Sequence, residues 1–108
     1  MTPTEISTAQ LAQAIEAGPV RLFDVREPDE YVAGHVSGAV LVPLQSVPDN
    51  VDLFRGVGAA YIICRSGGRS AAACEFLAAQ GLEVVNIAGG TAAWVGEGRD
   101  VVIGDTAG

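Results

Sequence analysis

The chain runs from an apolar segment into a loop of glycine and arginine at Ala59-Ala60-Tyr61-Ile62-Ile63-Cys64-Arg65-Ser66-Gly67-Gly68-Arg69-Ser70. The apolar part, residues 59–63, predicts a strand. The residues after the loop, from about 70 to 80, predict a helix that ends at Gly81. This stretch therefore predicts a strand, a tight loop and a helix, with Cys64 at the carboxyl end of the strand.

Strands and helices are predicted to alternate on both sides of this stretch. Ser7 and Gln10 fit a capping box, which predicts a first helix that ends at Gly18-Pro19. Because such alternation implies crossover connections, we expect an α/β fold with a mostly parallel sheet, helices on both faces and sites at the carboxyl ends of strands. The other predicted strands are residues 20–25, 39–42 and 83–87; the other helices are residues 26–34 and 89–94; and the stretch after Pro43 is predicted to be irregular.

Length and composition indicate one domain. The chain has 108 residues, of which 49% are hydrophobic and 18% are charged, a balance that supplies a core and argues against intrinsic disorder. We therefore expect residues 1–108 to fold as a single domain, with residues 104–108 as a frayed tail. Nothing in the composition requires a cofactor or a metal ion, and neither is expected.

The charge balance argues against polyanionic partners. The chain has 13 acidic and 6 basic residues, a net charge of −7, and every basic residue is an arginine. These arginines are scattered, whereas nucleic acid and anionic membranes bind clustered basic faces, so neither is expected as a partner. Residues 1–5 lack the pattern of a leader peptide, and no apolar run approaches the ~18 residues that span a bilayer. We expect a soluble, cytoplasmic protein whose two cysteines are free thiols.

The loop after Cys64 has the composition of an anion cradle. Gly67 and Gly68 permit backbone angles that other residues avoid, so consecutive N–H groups can point toward one atom at the start of the helix. That atom is predicted to be the Cys64 sulfur, whose pKa a helix N-terminus and nearby arginines would lower. Arg65 and Arg69 add planar guanidinium groups that suit an oxyanion such as a sulfonate. Cys64 is therefore predicted to be a resting thiolate that binds anionic substrates.

Structural roles compete with each functional assignment. A free cysteine is often a small buried residue, but a structural cysteine does not need two glycines and two arginines in the next five positions. Cys74 lies among alanines with no charge cluster beside it in the sequence, so a core position is favoured. Asp24 and Arg26 are expected to support the active loop, mainly as an ion pair. His35 is interpreted as a helix-end cap, and Trp94 as a packing residue of the last helix.

Three ordered motifs, which span nearly the whole chain, resemble those of the rhodanese family of sulfurtransferases. Asp24-Val25-Arg26-Glu27, with Tyr31 and Gly34-His35, resembles the first family signature, and residues 39–44 resemble the strand that follows it. Residues 64–70 closely resemble the active-site loop of the family. The final signature, a glycine pair before a tryptophan helix, resembles Asn86-Ile87-Ala88-Gly89-Gly90 followed by Ala93-Trp94.

The resemblance implies a three-layer α/β/α fold with a five-stranded sheet, including a short first strand near Glu5-Ile6. It also implies thiosulfate sulfurtransferase activity: a cysteine takes the outer sulfur of a small anionic donor, or of a protein persulfide, and passes it to cyanide or a thiol. On this sequence Cys64 is the nucleophile and persulfide carrier, and Arg65 and Arg69 orient the donor. The substrate-binding residues implied are Arg65, Ser66, Gly67, Gly68, Arg69 and Ser70.

Loop length separates this prediction from a neighbouring class of enzymes. Related phosphatases and arsenate reductases have five residues between cysteine and arginine, whereas four lie between Cys64 and Arg69. The shorter loop suits one extra sulfur rather than a phosphate group, so these activities are less favoured. The remaining alternative is a non-catalytic or partner-dependent module of the same fold, which takes sulfur only from a protein partner or serves as a docking surface.

Overall fold

The computed structural model describes residues 4–108. Its strands are β1 (Thr4–Ile6), β2 (Arg21–Asp24), β3 (Val40–Leu41), β4 (Ala60–Ile63) and β5 (Val84–Ile87). Its helices are α1 (Thr8–Ala17), α2 (Pro28–Ala33), α3 (Gly68–Ala79) and α4 (Gly90–Gly96), with a 3-10 segment at Leu44–Phe54. The first three residues, on which the expected lack of a leader partly rests, lie outside the described residues. Within residues 4–108, no helix is long and apolar enough to cross a membrane.

The five strands form one parallel sheet in the order β1-β5-β4-β2-β3. The predicted α/β class and five-stranded parallel sheet are therefore confirmed. Asp24, the last residue of β2, is the register partner of Ile63, the last residue of β4. Because parallel strands end at the same edge, the loops that follow β2 and β4 begin side by side. This edge is where Cys64 lies.

Side chains of the strands alternate between two hydrophobic cores, one on each face of the sheet. In β4, Ile62 packs in one core and Ile63 in the other, as the two-residue period of a strand requires. Full burial of one such side chain contributes about 1.5–3 kcal/mol to folding. The first core includes Phe54 of the 3-10 segment and Leu77 of α3, and the second includes Leu11 of α1, Tyr31 of α2 and Trp94 of α4.

The predicted start of α1 is confirmed by its capping contacts. The Ser7 hydroxyl accepts a hydrogen bond from the Gln10 backbone N–H at 3.1 Å. The Gln10 side-chain oxygen in turn accepts from the Ser7 backbone N–H at 2.8 Å. Such a cap typically stabilises a helix by about 1 kcal/mol, because it satisfies N–H groups that have no partner inside the helix. The local sequence is thus sufficient to begin the helix at this residue.

The stretch after Pro43, expected to be irregular, instead forms the 3-10 segment. Its backbone departs from helical angles at Asn50, with φ of −130° and ψ of 28°. Its buried residues Val47 and Phe54 join the core, and the Phe54 ring lies 4.5 Å from the ring of Phe23. The expectation was wrong because a segment interrupted by proline has no clear helical spacing, while its burial depends on the distant sheet.

Residues 104–108, expected to fray, are held by hydrogen bonds. The Gly38 N–H donates to the carbonyl oxygen of Ala107 at 2.6 Å. A ring nitrogen of His35, Nε2, lies 2.7 Å from the carbonyl oxygen of Thr106. The partners of this tail lie far back in the chain, so its polar, glycine-containing composition does not show that it is anchored.

The structural interpretations of His35 and Trp94 agree with their contacts. His35 is fully buried, and its Nδ1 lies 2.8 Å from the carbonyl oxygen of Tyr31 in α2. Its ring stacks on the Tyr31 ring with centroids 3.6 Å apart. Trp94 packs in the core, and its indole N–H donates to the carbonyl oxygen of Asp100 at 2.8 Å. His35 therefore joins the end of α2 to the tail, and Trp94 fixes α4 on the sheet.

Candidate active site

Cys64 follows β4 directly and lies at the carboxyl edge of the sheet, in front of α3. The N-cap of α3 is Gly67, whose φ of 109° lies in the left-handed region that favours glycine. In this conformation the Gly67 N–H donates to the Cys64 sulfur at 3.1 Å. The backbone N–H groups of Ser66 and Ser70 also help to lower the pKa of the Cys64 thiol. The loop therefore surrounds the Cys64 sulfur with hydrogen-bond donors.

These donors favour the anionic form of Cys64. Burial opposes ionisation, because a buried thiolate loses hydration, and this is the largest single influence on the thiol. The Ser70 hydroxyl, when its proton is directed to the sulfur, and the backbone N–H groups of Ser70, Gly67 and Ser66 together outweigh it and lower the pKa of Cys64 below its ordinary value. The residue is only 1% exposed, so little of its surface is open to a substrate in this structure.

The start of α4 holds the backbone of the cysteine loop. Both the N–H and the hydroxyl of Thr91 donate to the Cys64 carbonyl oxygen, at 2.8 and 3.1 Å. Gly90 has a φ of 56°, and a Cβ at this position would lie 2.5 Å from the same carbonyl oxygen. Only glycine fits that space, which explains why a glycine pair precedes α4. Thr91 was not predicted as a site residue, because its only signal in the sequence is its position at the start of a helix.

Arg69 is paired with an acidic residue that the sequence analysis did not identify. Two nitrogens of its guanidinium group donate to the two carboxylate oxygens of Glu30, at 2.6 and 2.8 Å. Hydrogen bonding from Arg69 lowers the pKa of Glu30 to about 2, and the carboxylate raises the pKa of Arg69. Arg69 therefore lies in a two-pronged ion pair between α3 and α2, and part of its charge is neutralised.

Arg65 supplies the exposed positive charge of the loop. Its side chain forms no ion pair with any residue in the range 4–108. It lines a cleft of about 470 Å³ together with Arg26, Glu30, Thr91 and Val95. The cleft shares Arg65 with the loop of Cys64, so the exposed guanidinium group lies beside the loop that contains the sulfur.

Asp24 and Arg26 form a buried ion pair at the same edge of the sheet. The closest contact between their side chains, from an Arg26 nitrogen to an Asp24 oxygen, is 2.7 Å. Arg26 also donates to the carbonyl oxygen of Gly34 at 2.8 Å. The pair thus ties the end of β2 to the end of α2, which is the structural role favoured for these residues. Its net worth to stability is small, because burial of both charges offsets their attraction.

Ser70 connects Cys64 to a second buried polar residue, Asn86 of β5. The Ser70 hydroxyl oxygen lies 3.3 Å from the Cys64 sulfur and 2.5 Å from the Asn86 side-chain oxygen. The Asn86 amide nitrogen donates to a carboxylate oxygen of Glu5 in β1 at 2.9 Å. Neither Asn86 nor Glu5 was predicted as a site residue, although Asn86 falls inside the third motif. A chain of hydrogen bonds therefore runs from the sulfur to the edge strand.

Cys74 differs from Cys64 in that no residue in the range 4–108 donates a hydrogen bond to its thiol. It lies on α3 with no exposed surface and packs in the core. Burial raises its pKa to about 12. The core position favoured for Cys74 is therefore confirmed, and its thiol stays neutral at physiological pH.

Comparisons with known proteins place this architecture in a family. The Rhodanese-like domain model matches residues 7–97. The chain is 40% identical over 94 residues to YtwF of Bacillus subtilis, across 86% of this chain and 91% of that protein. It is 34% identical over 100 residues to the thiosulfate sulfurtransferase GlpE of Pseudomonas entomophila, across 89% and 85% of the two chains. A crystal structure of a rhodanese-like domain protein from Staphylococcus aureus aligns with a TM-score of 0.83 at 36% identity, across 93% and 97% of the two chains.

A parallel sheet that presents a cysteine in a cradle of N–H groups defines a class of proteins that use thiol chemistry. Within that class, this chain belongs to the rhodanese-like domain family. The resemblance found in the three motifs is thereby confirmed. The short first strand that the resemblance implied is present as β1. The named relatives support a rhodanese-type sulfurtransferase as the general class of activity.

Proposed function

We propose that this protein transfers a sulfane sulfur from thiosulfate, or from another persulfide donor, to cyanide or a thiol acceptor through a persulfide on Cys64. The observation that carries the proposal is the cradle, in which the Gly67 N–H points at the sulfur from 3.1 Å and the pKa of Cys64 is lowered. A relative 34% identical to this chain is named as a thiosulfate sulfurtransferase, which supports thiosulfate as a donor.

The first half of the reaction loads the cysteine. The Cys64 thiolate attacks the outer sulfur of thiosulfate, a new S–S bond forms, and the bond to the sulfonate sulfur breaks with its electron pair leaving on sulfite. The negative charge then resides on the outer sulfur of the persulfide. In this proposal, backbone N–H groups of the loop stabilise that charge, as donors do in an oxyanion hole; the Gly67 N–H, which donates to the Cys64 sulfur in the unloaded protein, is one such donor.

The second half of the reaction unloads the cysteine. Cyanide or a thiolate attacks the outer sulfur, and the electron pair of the S–S bond returns to Cys64 as the thiolate. Because the product of each half-reaction leaves before the next substrate binds, the kinetics should be ping-pong. A reducing compartment such as the cytoplasm suits this cycle, since Cys64 must return as a free thiol.

The exposed arginine gives the donor its orientation in this proposal. Arg65 lines the cleft beside the loop, where its planar group can bind the sulfonate oxygens of thiosulfate. Arg69 contributes the charge that remains within its pair with Glu30, which lies near the same cleft. Ser66 and Gly68 serve through the backbone, because Gly68 opens α3 and Ser66 turns its N–H toward the sulfur.

Intact mass measurement tests the persulfide. The protein is treated with thiosulfate, weighed, treated with cyanide and weighed again, with the Cys64→Ser and Cys74→Ser variants alongside. We expect wild type and Cys74→Ser to gain the mass of one sulfur atom and to lose it with cyanide, while Cys64→Ser gains nothing. Wild type that gains no sulfur from thiosulfate or from a persulfide donor would contradict the proposal. Loading only by a protein persulfide would favour a partner-dependent carrier of the same fold.

A further inference from the structure

The hydroxyl group of Ser70 has more acceptors in reach than it has protons. Its oxygen lies 2.5 Å from the Asn86 side-chain oxygen, 3.2 Å from the Gly67 carbonyl oxygen and 3.3 Å from the Cys64 sulfur. A hydroxyl carries one proton and can donate it to one of these atoms at a time. Ser70 is fully buried, so water cannot supply a second donor freely. The acceptors therefore compete for the Ser70 proton.

The neighbours of Asn86 determine which end of its amide faces Ser70. On its far side, one atom of the amide lies 2.9 Å from a Glu5 carboxylate oxygen and 3.4 Å from the Gly67 carbonyl oxygen. Both of those atoms only accept hydrogen bonds, so the atom that faces them must be the NH₂ group. The carbonyl oxygen of the Asn86 amide must then face Ser70 and accept its proton.

This orientation suits the neutral thiol and opposes the thiolate. When Cys64 is protonated, each donor finds an acceptor along the chain from Cys64 to Ser70, Asn86 and Glu5. When Cys64 is ionised, its sulfur attracts the Ser70 proton, but the Asn86 oxygen then faces the Ser70 oxygen without a proton between them. Turning the Asn86 amide would not remove this repulsion between two oxygen atoms. The Asn86 oxygen would then face the Glu5 carboxylate, again without a proton between them.

We propose that Asn86 is a positioning residue for the cysteine: its amide, oriented by the Glu5 carboxylate, draws the Ser70 proton away from the Cys64 sulfur and so limits the thiolate population. The inference rests on the proposed function only in that Cys64 acts there as a thiolate. Its chemical role is to oppose part of the stabilisation that the N–H groups of the loop give to the thiolate. A thiolate that is less stabilised is also a stronger nucleophile. In the persulfide the charge moves to the outer sulfur, so the conflict at the inner sulfur is relieved.

Other ionisable groups around Cys64 are compatible with this role. Arg69 attracts negative charge on the Cys64 sulfur, but its guanidinium group is held by the Glu30 carboxylate. The Cys74 thiol, on α3, is neutral. The Glu5 carboxylate is the group of β1 that reaches the sulfur through a continuous line of hydrogen bonds. The ionisable groups, element by element, are Glu5 on β1, Asp24 and Arg26 after β2, Glu30 on α2, Arg65 in the loop, and Arg69 and Cys74 on α3.

The substitution Glu5→Gln tests the proposal without disturbing the core, because Glu5 is exposed. A glutamine amide can donate to the Asn86 oxygen, and the other contact on that side, with the Gly67 carbonyl oxygen, is long at 3.4 Å. The Asn86 amide can therefore turn and donate to Ser70, which frees the Ser70 proton for the sulfur. We expect the pH midpoint of Cys64 alkylation by iodoacetamide to fall by about 0.5–1 unit, the worth of one hydrogen bond. Peptide mass mapping assigns the alkylated cysteine.

The same substitution in a Ser70→Ala background separates this mechanism from a general charge effect. Without the Ser70 hydroxyl there is no proton to redirect, so Glu5→Gln should no longer move the midpoint. Glu83→Gln removes an exposed carboxylate elsewhere and serves as the matched control, with no shift expected. An unchanged or raised midpoint in Glu5→Gln, or an equal downward shift with and without Ser70, would overturn the proposal.

The measurement does not depend on sulfur transfer. Alkylation reports the thiolate of Cys64 whether or not the protein accepts sulfur from thiosulfate. If the persulfide never forms but the midpoint shifts only when Ser70 is present, the proposed function fails and the role of Asn86 stands. If the persulfide forms but the midpoint does not move, the role of Asn86 fails and the proposed function stands.

Discussion

Cys64 and Cys74 are buried to the same degree, at 1% and 0% exposure, and pack in the same core. Yet the pKa values of their thiols are shifted in opposite directions. Burial raises the pKa of Cys74 to about 12. The same influence acts on Cys64, but hydrogen-bond donors reverse it and lower the pKa. Burial alone therefore does not decide whether a cysteine is reactive. The hydrogen-bond donors that face its sulfur decide it.

The difference has its origin in the two backbone positions. Cys64 lies between the end of a strand and the N-terminus of α3, where N–H groups have no partners inside the helix. Cys74 lies within α3, where each N–H is engaged by the helix itself. The same side chain therefore meets free donors at the helix start and apolar side chains nearly two turns beyond it.

The largest difference between the two cysteines is expected when each thiol is removed in turn. Cys64→Ser should lower sulfur transfer from thiosulfate to cyanide by at least about a thousandfold, because a hydroxyl cannot carry the sulfane sulfur. Cys74→Ser should keep most of the activity and lose about 1–3 kcal/mol of stability, the cost of a buried hydroxyl. Thiocyanate formation and denaturant unfolding measure the two effects. Similar losses of activity in both variants would contradict the roles assigned here.

Alkylation of the native protein compares the reactivity of the two thiols directly. At pH 7, Cys64 should react with iodoacetamide at least about a thousandfold faster than Cys74, since each unit of pKa changes the thiolate fraction tenfold. Because the pKa of Cys64 is lowered, its labelling rate should rise with pH and reach a plateau below the pH at which an ordinary thiol does so. Peptide mapping at several pH values checks both statements, and equal labelling of the two cysteines would refute them.

The contacts of α4 with the loop can be broken without touching either sulfur. Gly90→Ala should destabilise the fold by about 1–3 kcal/mol from backbone strain alone, because φ there is left-handed. It should also displace the Cys64 carbonyl and raise the pH midpoint of Cys64 labelling, while Cys74 stays unreactive. Gly68→Ala is the matched control, since a Cβ there meets no atom within 4 Å. An equal effect of both substitutions would argue against the packing role of Gly90.

The smallest expected effect concerns the donor rather than the thiol. Arg69→Lys should raise the KM for thiosulfate about threefold to tenfold with a smaller change in kcat, because a lysine keeps the charge but cannot hold both carboxylate oxygens of Glu30, so the charge beside the loop is displaced. Steady-state kinetics measure the two constants, and Arg99→Lys, in the exposed pair with Glu97, is the control. An unchanged KM would show that Arg69 takes no part in donor binding and would leave that role to Arg65 and the backbone.

Much of the fold could be predicted because its signals are local. Apolar runs and the capping residues of α1 lie within a few positions of one another, so the alternation of strands and helices could be recognised in the sequence. The glycines of the loop likewise predicted N–H groups around Cys64, and Gly67 donates to the sulfur. The 3-10 segment and the anchored tail could not be predicted, because their stability comes from partners elsewhere in the chain.

The partners in the site were less accessible to prediction than the cysteine. Arg69 was expected to face the donor freely, but its fork is engaged by Glu30, a residue of another helix. Glu30 carried no signal beyond a preference for acidic residues at a helix start, which already explained it. Asn86 fell in a recognised motif, yet nothing in the motif shows that it contacts Ser70.

The sequence pattern alone predicts the order of strands and helices, the α/β class and the position of Cys64 at a strand end, because each depends on neighbours along the chain. The charge and proton state of the site depend on long-range contacts instead. Glu30 meets Arg69 across 39 positions and Glu5 meets Asn86 across 81. Such pairs form only when the crossovers place β2 beside β4 and β1 beside β5, so the tertiary structure alone determines which groups face the sulfur.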